Sequence, residues 1–342
     1  MFRKKNAVSI RDVAKAAKVS PPTVSNALSG KRYVSPELAK RIRLIAHELG
    51  YNPDPRAASL RTGKVNSIAL LSPVTSAIPA GRGRLEFLME IAEAAATRAL
   101  EKDLALVIVP PTGAPSRIIP NLLVDGVIAV EPANDDQNLD ALVKRSIPIV
   151  SIGRFVASGY DIPYVDMHYY EMTMKSLDHL RQVGARKIAV ILCTAQRQLY
   201  SEMHRAYADF CAVNSMQIIC HWAEESDAEE GGTVAVETLF SDHSDIDGLL
   251  APLATFAVGA RKALRTLGRN VPEDVKIVTR YNGIRSRECD PPLTAIDLHL
   301  DEVAKIAVDM LLSHMSDNQL ERKVKVPEPT LIVRRSTEVG LS

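Results

Sequence analysis

Apolar residues recur at two different periods along this 342-residue chain, and the period changes near residue 65. Up to Gly50 the spacing is helical. Val13, Ala16 and Ala17 form one face of a first helix, opened by Ser9 as N-cap with Asp12 as its capping-box partner. Ser20 caps a second helix, and Pro21 takes its first position, where the missing N–H is no loss. Val24, Ala27 and Leu28 point inward from that helix, and Gly30 can close it. A third helix opens at Ser35-Pro36, buries Leu38, Ile42, Ile45 and Leu49, and stops at Gly50. The small Ala14, Ala16 and Ala17 let the first two helices approach closely. Two short helices joined by a tight turn and braced by a third are about the size that enters a DNA major groove.

Beyond Val65 the pattern changes to short, branched, almost wholly apolar runs. Ser67–Leu71, Leu104–Val109, Gly126–Val130 and Ile147–Ile152 read as strands, with amphipathic stretches such as Leu85–Lys102 between them. The alternation restarts at Lys187–Leu192, Asp247–Ala251 and Val275–Thr279. Parallel strands with helices on both faces give this signature. The expected class is therefore α/β: a three-helix helix-turn-helix head, a hinge segment, and two Rossmann-like lobes. A cleft should lie between the lobes at the strand ends. The expected domains are residues 1–50 for the head, 51–64 for the hinge or linker, and 65–342 for the two-lobed body.

Charge sharpens that division. Residues 1–64 carry fourteen Lys or Arg against four Asp or Glu, a balance of +10, whereas the whole chain is +1. The remaining residues hold 28 basic and 37 acidic side chains, a balance of −9. Phosphate recognition needs local positive charge, so a near-neutral total does not argue against nucleic acid. No apolar run is long enough to span a bilayer, and no signal peptide precedes the basic start, so a cytoplasmic protein is expected. Cys193, Cys211, Cys220 and Cys289 lack ligand-like spacing and fit reduced thiols. The Gly81–Glu86 run contains G-x-G, but it lies about ten residues after its strand and lacks the third Gly of a dinucleotide fingerprint. With no P-loop, G-x-S-x-G or H-E-x-x-H, and scattered histidines, neither an enzyme nor a metal or cofactor site is expected.

The segments Ile10–Gly30, Ser35–Ile42 and Leu49–Lys64 together resemble the DNA-binding half of the LacI/GalR family of bacterial transcription regulators. The body carries further landmarks of that family in order: Val124–Val130, Ile147–Arg154, Arg205–Tyr207, Val271–Val278, Pro291–Ile296 and Leu331–Thr337. The resemblance thus spans nearly the whole chain and implies a periplasmic-binding-protein-like body. It also implies a homodimer on a palindromic operator of double-stranded DNA, most often as a repressor, controlled by a small-molecule effector. The end of the chain soon after Thr337, without a leucine heptad tail, favours a dimer over the tail-mediated tetramer of some relatives.

By that resemblance the recognition helix begins at Pro21, after the cap Ser20. Thr23, Ser25 and Asn26 are hydrogen-bonding candidates for bases or phosphates, while Pro21 and Pro22 could read bases only by apolar contact. Lys31, Arg32 and Tyr33 resemble backbone clamps. In relatives a short segment at Arg56–Arg61 folds only on the operator and inserts a Leu into the minor groove. Leu60 takes that position, with Ala57 beside it, and Ala58 stands where relatives often have Arg. Read without the resemblance, the same segment is too short to be a stable helix alone, or is simply a linker.

For the cleft, the resemblance offers Arg84, Arg154, Arg205, Tyr281 and Asn282 as effector contacts. Arg205 matches the family's effector-contacting Arg, and Tyr281 stands where an Asp commonly accepts sugar hydroxyls. Leu253-Ala254 replaces a usual Asn-Asp pair, and Gly83-Arg84 replaces an aromatic pair. Fewer acceptors and more arginines, Arg280 among them, point to a phosphorylated or carboxylated ligand, unless these arginines face solvent. Asp166 can cap the helix starting near Tyr169 or touch ligand. The rival reading is a regulator without an effector, or one controlled by a protein partner. A transport protein with the same lobes would need an export signal and no basic head.

Overall fold

The computed structural model describes residues 8–30, 32–51, 63–72, 82–109, 116–156, 159–316 and 321–338. They belong to two compact units, Met1–Val65 and Asn66–Ser342. The hinge residues Ala57 and Leu60, and the loop residue Lys31, lie outside the described residues.

The first unit is built from α1 (Ile10–Ala17), α2 (Pro21–Ser29) and α3 (Pro36–Glu48). The expected capping box is formed: Asp12 Oδ2 accepts from the Ser9 backbone N at 2.8 Å and from Ser9 Oγ at 2.7 Å. Ser20 Oγ accepts from the Thr23 backbone N, and Gly30 closes α2 in the left-handed conformation with φ 68°. The core is small and rich in alanine: Val13, Ala14, Ala17, Val24, Ala27, Ala39, Ile42 and Ala46. Two expected core residues are not in it. Ala16 is exposed and Ala14 is buried in its place, because α1 presents an i, i+1, i+4 face to its neighbours. Leu49 is exposed because α3 has already ended at Glu48.

The second unit begins with β1 (Ser67–Leu71), α4 (Arg82–Leu100), β2 (Ala105–Val109), β3 (Gly126–Val130), α5 (Gln137–Lys144), β4 (Ile149–Ile152) and β5 (Tyr164–Asp166). The chain then passes to the other lobe with α6 (Tyr169–Gln182), β6 (Ile188–Cys193), α7 (Gln198–Val213), β7 (Cys220–Ala223) and α8 (Ala228–Asp242). That lobe continues through β8 (Gly248–Ala251), α9 (Ala254–Thr266), β9 (Lys276–Thr279), α10 (Ile284–Glu288) and β10 (Thr294–Asp297). It returns with α11 (Leu300–Met315), which packs on α4, β3 and β4 of the first lobe. β11 (Lys323–Lys325) completes the first sheet and β12 (Thr330–Ile332) the second.

The two sheets have matching orders, β2-β1-β3-β4-β5-β11 and β7-β6-β8-β9-β10-β12. All their pairs are parallel except β10 with β12. Both are thus doubly wound, and side chains just beyond the strand C-termini face the inter-lobe region, as in other open parallel sheets. The sequence pattern missed β5, β7, β10, β11 and β12. They are three or four residues long, and Tyr-Val-Asp, Cys-His-Trp-Ala or Lys-Val-Lys carries no apolar run. β2 was expected with the other apolar strands, yet Val107 and Ile108 are exposed because β2 is the edge of its sheet.

Two lobe crossovers repeat one local device. In Asp166-Met167-His168 and Asp297-Leu298-His299, each His adopts a left-handed conformation, with φ 52° and 51°. Each Asp Oδ1 accepts the backbone N–H of its His, at 3.1 and 3.0 Å. The ring nitrogens then reach the third crossover: His168 Nε2 lies 2.9 Å from Val326 O, and His299 Nε2 lies 3.0 Å from Thr330 Oγ1. His168, not Asp166, is therefore the N-cap of α6, and Asp166 pairs instead with Lys323 at 2.8 Å.

Helices α8 and α9 approach so closely that their contact needs glycine. A Cβ on Gly259 would lie 1.8 Å from Glu229 O, and one on Gly232 2.0 Å from Phe256 O. Because the obstacle is backbone, the helices themselves would have to separate. Gly259→Ala is expected to cost roughly 1–3 kcal/mol of stability, as overpacking does, read as a lower urea midpoint of the body. An unchanged midpoint would show that the crossing can relax freely.

Candidate nucleic-acid interface and inter-lobe site

In the head, a three-residue turn joins α1 to α2. Lys18 takes the left-handed conformation with φ 53°, and Val19 N bonds back to Ala14 O at 3.0 Å. Val24 and Ala27 bury one face of α2. Pro22, Ser25 and Asn26 stand on the opposite side by helical phase, with Pro21 and Pro22 exposed. Thr23 is half-buried, and its hydroxyl lies 2.8 Å from Ser20 Oγ, so part of its hydrogen-bonding capacity serves the cap. Arg32 is exposed beyond α2, and Tyr33 is 90% exposed. A tyrosine so fully in solvent contributes nothing to the core.

Two of the head's cations have internal duties. Arg41 Nη2 donates to Ala17 O at 2.8 Å and Arg43 Nη2 to Ala27 O at 3.4 Å. These guanidiniums satisfy carbonyls near the ends of α1 and α2, where the helix dipole favours positive charge. Arg11, Lys15, Lys18, Arg32 and Lys40 are exposed and available to phosphates.

Between the lobes the structure gathers charges of which the sequence had pointed only to Arg280. Glu131 follows β3 with φ 48°, an uncommon conformation for a side-chain-bearing residue. Its carboxylate pairs with Arg280, which follows β9 on the other lobe and is only 5% exposed. Tyr169 OH donates to Glu131 Oε1 at 3.1 Å, and Arg197 Nη1 donates to Glu131 O. Arg197 also reaches Glu225 through both Nε and Nη2, at 3.3 and 3.5 Å, while Tyr200 OH donates to the same carboxylate at 2.5 Å. Arg280 lies 5.3 Å from the Phe87 ring centroid and 5.6 Å from that of Tyr169. Burial opposes its charge most, but the groups around it, Glu131 foremost and then Tyr169 and Tyr200, together outweigh burial and raise its pKa. Burial, and then Glu131, push Tyr169 well above the ordinary phenol value, so it remains a donor.

The same seam runs along α4. Tyr281 OH donates to Glu90 Oε2 at 2.6 Å, and its ring meets Phe87 edge-on at 5.2 Å. Burial, with Glu90 beside it, raises the Tyr281 pKa. Ile284 N donates to both Glu86 oxygens at 2.7 and 2.9 Å, and Asn134 N donates to Gln196 O at 2.8 Å.

The residues expected to contact an effector are placed as follows. Tyr281 is in the seam. Arg154 adjoins it through its backbone N, which donates to Gln198 Oε1 at 2.9 Å, and its guanidinium lies 5.8 Å from the Tyr164 ring centroid. Asn282 holds Arg334 through its side-chain oxygen. The side chain of Arg84 lies outside the described residues. Arg205 is on the exposed face of α7, bonded to Glu202 and 4.2 Å from the Tyr170 ring centroid. Helical phase explains this: Tyr200, Met203, Ala206, Tyr207 and Phe210 take the buried face. Arg280 is in the seam but is neutralised by Glu131, so the expected gain of positive charge does not arise there. Arg197, Glu131 and Glu225 were missed. The signal that could have found them is charge immediately after an apolar parallel strand, where ligand-facing residues collect.

No described helix is long and apolar enough to cross a membrane. Burial pushes the Cys220 thiol up to about 12 and also raises Cys211 and Cys289, which makes these thiols poor nucleophiles or ligands.

Comparison with known proteins gives two matches along the chain. Residues 9–54 match the model of bacterial regulatory proteins of the lacI family, and residues 177–337 match that of the periplasmic binding protein-like domain. The ribose operon repressor of Haemophilus influenzae is 26% identical over 340 residues, covering 96% of this chain and 98% of that protein. The HTH-type transcriptional repressor PurR of Serratia proteamaculans is also 26% identical over 340 residues, covering 97% of each chain. Among solved structures, the lac repressor dimer bound to operator and the anti-inducer ONPF superposes with TM-score 0.78. It shares 21% identity and covers 97% of this chain and 99% of that one. The CelR–cellobiose complex gives TM-score 0.71 at 22% identity, covering 96% and 99%. At these identities the two structures establish the fold. The chain thus carries a lacI-family DNA-binding head and a periplasmic binding protein-like body, and relatives named as repressors align with it from end to end.

Proposed function

We propose that this protein is a homodimeric transcriptional repressor acting in the cytoplasm on a roughly palindromic operator, with the two-lobed body as its regulatory part. The observation that carries this reading is the capped α1–α2 pair, with Pro22, Ser25 and Asn26 opposite its buried face and Arg32 and Tyr33 exposed beyond it. A helix presented this way fits the major groove, and the cations beside it fit phosphates. The proposed domains are residues 1–50, 51–64 and 65–342, with Leu60 as the minor-groove wedge of the middle segment.

The dimer reading rests on β2. This edge strand exposes Val107 and Ile108, and neighbouring α4 exposes Met89 and Leu100. An unprotected apolar edge is a liability for a monomer and a natural contact for a second copy.

Regulation is assigned to the lobes. The expectation of an anionic effector rested on the added arginines Arg82, Arg84 and Arg280. The side chains of Arg82 and Arg84 lie outside the described residues, Arg280 is paired with Glu131, and Arg205, the other expected effector contact, is turned to solvent. The reading kept is control through the relative position of the lobes.

Selection from a random DNA library should yield a two-fold-symmetric site; absence of any sequence preference would overturn the repressor reading. On that site, Asn26→Ala should cost about 1–3 kcal/mol and leave nonspecific DNA binding unchanged. Arg32→Ala should weaken both and reduce the salt slope by about one. Leu60→Ala should reduce operator bending and specific affinity only, and equal loss on nonspecific DNA would refute the wedge. In sedimentation velocity, Val107→Glu with Ile108→Glu should convert the dimer to monomer; a retained dimer would place the interface elsewhere.

A further inference from the structure

We infer that this protein closes its two lobes with its own side chains, so that closure requires no bound ligand. The Glu131–Arg280 pair is the clamp, and Arg197 reinforces it.

Three observations lead there. The first is that the contacts crossing the seam are direct. Glu131 belongs to the first lobe and Arg280 to the second, and both are nine-tenths or more buried at their junction. Arg197, from the second lobe, binds the main-chain oxygen of Glu131 as well as Glu225. A bidentate guanidinium–carboxylate contact is the kind of interaction a ligand carboxylate or hydroxyl pair would otherwise make with such an arginine. Here the opposite lobe supplies it.

The second observation concerns what opening would expose. Separating the lobes parts Glu131 from Arg280 and strips the arginine of its face against Phe87. Water would resolvate both charges, so opening is allowed, but the fixed geometry would be lost. The clamp therefore biases an equilibrium. Its electrostatic part is little screened by salt because it is buried.

The third observation is that the seam closes along its length. Tyr281 to Glu90, Ile284 to Glu86 and Asn134 to Gln196 all cross between lobes. The two Asp-x-His turns tie the first two crossovers to the third beside it. A seam with this many direct bonds has a defined closed geometry.

Amide hydrogen exchange on the full-length protein, purified free of small molecules, tests the inference. The amides of Asn134 and Ile284 donate across the seam, so they report closure directly, whereas those of β3 and β9 report the lobe cores. Unliganded wild-type protein should protect Asn134 and Ile284. Glu131→Gln, which keeps shape and removes charge, should speed their exchange at least tenfold while β3 and β9 hold their rates. A merely destabilising substitution would speed the cores equally. Unprotected Asn134 and Ile284 in the wild-type protein would overturn the inference without any variant. So would a folded Glu131→Gln protein with wild-type rates at both amides. If the variant does not fold, the wild-type measurement decides, with paired spin labels on the two lobes expected to show one short distance population and an open population refuting closure.

Discussion

A guanidinium buried to the extent of Arg280 can remain charged only beside an anion, and in this protein that anion stands on the other lobe. The constraint is stricter than hydrophobic packing, because a carboxylate must meet a planar fork within a narrow range of angles. Much of the body's geometry is arranged around it. Glu131 accepts a left-handed backbone conformation, Tyr169 supplies a hydroxyl from the start of α6, and Arg197 holds the carbonyl behind the carboxylate. Removing one partner from such a pair typically costs about 3–5 kcal/mol, whereas the intact pair adds little net stability. Its value lies in specifying where the lobes sit.

The doubly wound sheets make that pairing possible. In each lobe the central parallel strands end on the same side, so residues that follow β3, β6 and β9 are brought to one region. Residues far apart in the chain meet there because the chain crosses between the lobes three times among the described residues. The crossovers are short, and two of them use the same Asp-x-His turn, whose ring nitrogens tie them to the third. Local backbone conformation thus holds the crossovers, and buried charge holds the seam. The head obeys different rules. Its core is mostly alanine, its helices are positioned by caps and by Arg41 and Arg43, and its outward charge is left for DNA.

Much of this was legible in the chain. The Ser9–Asp12 box, the Ser20 cap with Pro21, and the Gly30 closure are local arrangements, and each is present. The apolar strands β1, β3, β4, β6, β8 and β9 fall where branched runs occur. The short strands β5, β7, β10, β11 and β12, at or next to sheet edges, were missed because three or four residues of mixed polarity carry no period. Ala16 was misjudged for a related reason: alanine fits either face, and only the neighbouring helices decide which alanines are covered.

The site was less legible than the fold. The resemblance drew attention to Arg205, yet the phase of α7 turns it to solvent and gives the buried face to Tyr200, Met203 and Tyr207. Arg197, Glu131 and Glu225 carry no sequence motif, and their side-chain partners lie 25 to 149 residues away. Sequence alone determined what depends on neighbours in the chain: helix caps, apolar periods, the charge contrast between head and body, and the family those features share. Tertiary structure decided which charges meet across the lobes. Such pairing depends on the relative placement of strand ends from two sheets, which only the folded chain brings together.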